Sequence, residues 1–108
     1  MTERRVLWTR TAGRDLDAIV ACIATDSIEK ALSVLDRLQE RADSLATAAE
    51  RGRLVPELRS IGVHQYRELV EHPWRIVYRI EPDSVMVLAV LDGRRELESL
   101  LLDRLVRS

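Results

Sequence analysis

The stretch from Tyr66 to Leu105, YRELVEHPWRIVYRIEPDSVMVLAVLDGRRELESLLLDRL, reads as three short strands and a helix. Val63 to Glu71, Trp74 to Glu81 and Val85 to Asp92 are the strands, and His72-Pro73 and Pro82-Asp83 supply turn chemistry between them. Side chains alternate cleanly along the middle strand. Trp74, Ile76, Tyr78 and Ile80 form one face, and Arg75, Val77, Arg79 and Glu81 the other. The first set is expected to meet a helical layer. The run VMVLAVL is apolar on both parities, which suits a strand covered on both sides. Glu96 to Arg107 is predicted as a final helix with Leu97, Leu100, Leu101 and Leu105 on one face, able to cover the outer side of the sheet.

Working toward the N-terminus, Arg53 to Gly62 reads as an irregular connector, since Gly52 ends the preceding helix and Pro56 prevents its continuation. Upstream lies a long helix running to about Arg51. Asp26 is its expected N-cap, with Glu29 in a capping-box position. Ile28, Leu32, Leu35, Leu38, Ala42, Leu45 and Ala49 make its apolar stripe. A first helix, capped by Thr11, carries Leu16, Ile19, Val20 and Ile23 on one face. Two helices joined by so little loop must fold back as a hairpin. Arg5 to Thr9 suits a first strand. The order is β-α-α-β-β-β-α, an α+β domain with a helical hairpin against a mainly antiparallel sheet.

At 108 residues the chain has room for one modest core, so residues 1–108 are expected to form one domain. No apolar run approaches the roughly 20 residues that span a bilayer, and the N-terminus lacks a secretory h-region; cytoplasmic residence with no membrane contact is the expectation. Cys22, the only cysteine, excludes an internal disulfide and, among Ile19, Val20 and Ile23, is expected to be a buried inert thiol. His64 and His72 have no Cys or carboxylate set at familiar ligand spacing, so no metal is expected.

Of 17 basic residues Lys30 is the only lysine, yet the net charge is −1. There is no global field toward nucleic acid, so any anion site must be local. Arg67, Arg75, Arg79, Arg94 and Arg95 are the candidates, because guanidinium forks offer paired donors in fixed geometry. Arg75 and Arg79 share one strand face, Arg67 lies on the neighbouring strand, and a turn could return Arg94 or Arg95 beside Arg75. The competing reading is neutralisation by Glu68, Glu71, Glu81 and Glu96.

The element order, YREL (66–69), WRIVYRIE (74–81), the apolar last strand and the arginine pair after it resemble the RelE/ParE superfamily of bacterial toxins. DLDAIVACIA (15–24) resembles that group's opening helix. The resemblance implies a growth-inhibiting toxin of a type II toxin–antitoxin module, of the kind that also stabilises plasmids, with no cofactor. Its partner would be a cognate antitoxin that wraps around it, through which alone it would meet operator DNA. Leu97, Leu101 and Leu105 are the expected antitoxin contacts.

Two mechanisms divide the superfamily. RelE-like members cut messenger RNA on the ribosome, which would give Arg75, Arg67 and Arg95 (or Arg94) catalytic roles, with Glu57 as the carboxylate base. ParE-like members poison DNA gyrase without catalysis, which would make Arg75, Arg79, Arg94 and Arg95 target contacts. Leu69 and Leu101 stand where RelE-like chains have a basic residue and a tyrosine. No histidine or tyrosine follows the last strand, and arginine is a poor proton shuttle. The terminal helix is RelE-like, but the missing acid/base favours the gyrase reading. An attenuated member that only binds its antitoxin is a further alternative.

Overall fold

The computed structural model describes residues 3–93 and 98–107. Strand β1 (Arg5–Trp8) leads into helices α1 (Arg10–Ala24) and α2 (Ile28–Asp43). Two single 3-10 turns, Ser44–Ala46 and Ala49–Arg51, precede β2 (Arg53–Leu54) and the four-residue helix α3 (Pro56–Arg59). Strands β3 (Arg67–Glu71), β4 (Trp74–Ile80) and β5 (Ser84–Asp92) follow, then α4 (Glu98–Arg107). The sheet order is β1-β5-β4-β3-β2; β1 runs parallel to β5 and the other pairs are antiparallel. This is the expected α+β architecture. The connector is more ordered than expected, because β2 pairs with Arg67 and Glu68 and Pro56 opens a turn of helix of its own.

The two faces of the sheet carry two cores. Ile76, Tyr78, Val85, Val87 and Val90 pack against the hairpin through Ala12, Leu16, Val34 and Leu38, and against Leu45 of the following 3-10 turn. Val77, Ala89 and Leu91 pack on the opposite face with Val55, Leu58 and the completely buried Leu101 of α4. The alternation predicted for β4 and the role of α4 as cover are therefore realised. In β5, Val77 pairs with Ala89 and Tyr78 with Val87, so Leu88 is an extra residue. This bulge inverts the strand's parity: Val85 and Val87 face the hairpin before it, Val90 after it. A run apolar on both parities tolerates that inversion.

The helix ends differ from expectation. Thr9, not Thr11, caps α1, accepting from the Ala12 N–H at 3.1 Å. Ser27, not Asp26, caps α2, accepting from the Lys30 N–H at 3.2 Å. Helix α2 stops at Asp43, not near Arg51, because its continuation is captured by the sheet. The Tyr78 hydroxyl donates to Ala49 C=O at 2.7 Å and accepts from Gly52 N–H at 3.0 Å, inside the core. A Cβ at Gly52 would strike that hydroxyl and lie 2.6 Å from the Glu68 carbonyl oxygen, so only glycine passes there. The buried stripe of α2 is Ala31, Val34, Leu38 and Ala42, while Ile28 and Leu32 are exposed at 69% and 54%. Cys22 is exposed, not buried, and borders a cavity with Ile19, Ile23 and Trp74.

Candidate functional site

Arg75 is the centre of the one buried charged cluster among the described residues. It leaves β4 on the α4 face and is 7% exposed. Its Nη1 and Nη2 donate to the two oxygens of Glu57, both at 2.7 Å, and its Nε donates to Glu68 Oε1 at 2.6 Å. Glu68, from β3, is itself 1% exposed and accepts from Arg53 Nε through its other oxygen at 2.7 Å. Two guanidiniums and two carboxylates thus close on each other with no net charge.

Each partner is brought by a different element. Register in the sheet sets Glu68 opposite Val77, on the same face as Arg75. The β2–β3 pairing sets Arg53 opposite Glu68. Leu58, fully buried, anchors α3 so that Glu57 overhangs the sheet. Gly93 donates its N–H to Pro73 C=O at 2.7 Å and lies against the Arg75 stem, where a Cβ would be 2.9 Å from Cδ.

The electrostatic consequence follows from this geometry. The Arg75 hydrogen bonds hold the Glu57 carboxyl below its ordinary value of 4.5, outweighing partial burial. The Glu57 and Glu68 carboxylates in turn raise Arg75 further above its usual range, against the opposing effect of its burial. An ion held this firmly by its partner is a poor proton acceptor at neutral pH.

Of the other sequence-predicted residues, Arg67 and Arg79 are not gathered around Arg75. Arg67 pairs with Tyr78 and so emerges on the hairpin face, opposite to Arg75; its Nη1 donates to Gly52 C=O at 2.8 Å. Arg79 shares the Arg75 face but lies four residues along β4, roughly 13 Å by strand rise, beyond the buried Val77. Its Nη2 faces Glu81 at 3.4 Å. Leu101 of α4 is fully buried, whereas Leu105 is partly buried and borders an open cavity with Val63, Tyr66 and Leu102. Arg94, Arg95 and Leu97 lie outside the described residues.

Three participants escaped sequence reasoning. Arg53 was read as connector, and only the β2 register reveals it. His72 lines a cavity of about 180 Å³ together with Arg53, Val70, Pro73, Arg75 and Gly93, which puts an imidazole next to the cluster. Asp15 accepts from Arg104 Nη1 at 2.6 Å and Nη2 at 3.2 Å, and from the Val90 N–H at 3.0 Å. That N–H lies on the edge of β5 past its pairing with β1, so Asp15 caps the open edge and ties α4 to α1 in one contact.

Comparison with known proteins accords with this architecture. Residues 6–97 match the family described as ParE toxin of type II toxin-antitoxin system, parDE. Toxin ParE3 of Caulobacter vibrioides is 29% identical over 102 residues, covering 90% of this chain and 94% of that protein. A chain of the chromosomal ParDE system from P. aeruginosa superposes with a TM-score of 0.68 at 27% identity, over 83% of this chain and 96% of that one. A chain of the toxin–antitoxin complex RelBE2 from Mycobacterium tuberculosis shares the fold, with a TM-score of 0.63 at 22% identity over 85% and 93% of the two chains.

Proposed function

This chain belongs to the ParE toxin family of type II toxin–antitoxin systems, and on that premise we propose that it arrests growth by inhibiting DNA gyrase without catalysis until a cognate antitoxin neutralises it. The observation that carries the non-catalytic reading is the closed Arg75 cluster. The carboxylate placed as a base, Glu57, is committed to Arg75, and the Arg75 fork is already filled by Glu57 and Glu68. A phosphorane would find the Arg75 fork occupied, and a 2′-hydroxyl would find the Glu57 and Glu68 carboxylates already paired. A protein target needs neither. Operator DNA is reached only through the antitoxin, in keeping with a net charge of −1.

The test is induction of this chain alone, followed by gyrase supercoiling and DNA-cleavage assays with the purified protein. Loss of viability with accumulation of cleaved DNA is expected. Normal gyrase turnover at a large excess of the protein would overturn the target assignment, and undiminished viability the toxin reading.

One observation favours a second reading. His72 stands in the cavity beside Arg53 and Arg75, and histidine is the usual general acid/base. Under a ribosome-dependent interferase reading, His72 would move the proton and Arg53 would meet the phosphate. Translated mRNA cut within codons by the native chain, and left whole by His72→Ala, would establish that reading in place of gyrase.

A further inference from the structure

A second group of arginines lies on the opposite face from Arg75, where the C-terminal half of α2 meets the end of β3. Arg37, Arg41 and Ser44 follow one another at four- and three-residue steps and, with Glu40 next to Arg41, line one side of a cavity of about 250 Å³. Glu71 from β3 and Arg51 from the 3-10 turn after α2 complete the lining. Three guanidiniums and two carboxylates leave this spot positive on a chain whose net charge is −1.

Arg41 is held in place. Pairing with β2 ends at Glu68, so the Val70 carbonyl has no strand partner, and Arg41 Nη2 donates to it at 3.2 Å. That contact fixes the guanidinium while its buried Nε finds no hydrogen bond. Glu71 Oε1 lies 3.4 Å from Nε, within ion-pair range but without donor geometry, and Arg37 Nη1 reaches Glu71 Oε2 only at 3.5 Å. The pairs that reach buried or half-buried carboxylates close tighter, at 2.7 Å for Arg53–Glu68 and 2.6 Å for Arg104–Asp15, while the more exposed Arg79–Glu81 pair stays at 3.4 Å. The Arg51 guanidinium makes no hydrogen bond or ion pair among the described residues. Three guanidiniums converge on a cavity where Glu71 is loosely held and Glu40 makes no ion pair with them among the described residues; they are arranged for an external anion.

We propose that this cavity is a binding site for a tetrahedral oxyanion of the phosphate class, with Arg37, Arg41 and Arg51 as its donors and Glu71 as the resident counter-ion it displaces. Arg41 Nε acquires the acceptor it lacks, and Arg51 acquires a partner. The anion is a free phosphate or a phosphodiester of a nucleic acid strand. The site stands independently of the target named above, since it uses neither Arg75 nor Glu57.

Titration of the whole chain with inorganic phosphate, followed by calorimetry and by amide shifts of residues 37–51, tests the proposal. Saturable binding is expected, competed by sulfate but not by chloride at matched ionic strength. Arg51→Ala breaks no contact within the protein, so it keeps the native melting temperature while weakening phosphate about tenfold, the value of one charge-assisted hydrogen bond. Glu71→Gln removes the competing carboxylate and tightens binding severalfold. A short oligonucleotide without terminal phosphates that displaces phosphate identifies a phosphodiester as the natural anion; failure to displace identifies free phosphate. Absence of saturable binding, or affinity unchanged in both Arg51→Ala and Glu71→Gln, overturns the site.

Discussion

Tyr78 does more than fill the hairpin core. Its hydroxyl is the junction at which the chain leaves the 3-10 turn and enters β2, and burial raises its pKa above the usual phenol value. Tyr78→Phe keeps the ring but strands the Ala49 carbonyl and the Gly52 N–H. About 2 kcal/mol of stability should be lost, measured by urea unfolding with m unchanged. Glu68→Gln should cost more, about 3 kcal/mol, because Arg75 and Arg53 then share no buried anion. At this scale the sequence was legible where alternation alone decides. It separated Ile76 and Tyr78 from Arg75 and Val77, and it named Glu68 as a competitor for the arginines. It misassigned Arg67, whose face depends on which residue of β4 stands opposite it. Pairing register is a tertiary property and leaves no local mark.

Among the elements, α4 is attached through the burial of Leu101 and also through the Asp15–Arg104 contact at the edge of β5. Only the first could be read from apolar periodicity. An aspartate on the first helix and an arginine on the last, 89 positions apart, have no sequence pattern joining them. Arg104→Ala should destabilise the docked helix by about 2 kcal/mol, seen as faster amide hydrogen exchange in residues 98–107 and at Val90 while α2 exchanges as before. Equal acceleration throughout the chain would mean that α4 does not open separately. The shortened α2 teaches a related lesson. Its sequence supports helix past Asp43, but the Tyr78 hydroxyl and the small cross-section of Gly52 redirect the backbone, a tertiary override of local preference.

For the whole molecule, the Arg75 cluster couples folding to pH. Glu57 has a folded pKa below its unfolded value of 4.5, so its contribution is complete above that value. It is lost as pH falls below 4.5 through the depressed folded value. Thermal unfolding should therefore show a stability loss in that acid range, and Glu57→Gln should flatten the dependence while lowering the plateau. An unchanged pH profile in this variant would remove Glu57 from the linkage. The overall architecture was legible because three strands and their covering helix lie consecutively in one stretch of sequence. The charge balance of the site was not. Glu57, Glu68, Arg53 and Arg75 come from four separate elements, and only folding reveals that they neutralise one another.

The outward placement of Cys22 has a practical consequence. This lone thiol borders an apolar groove of about 360 Å³ that also exposes part of Trp74. A maleimide dye would attach once per chain without mutagenesis, close enough to the indole for fluorescence quenching to report on anything that enters the groove.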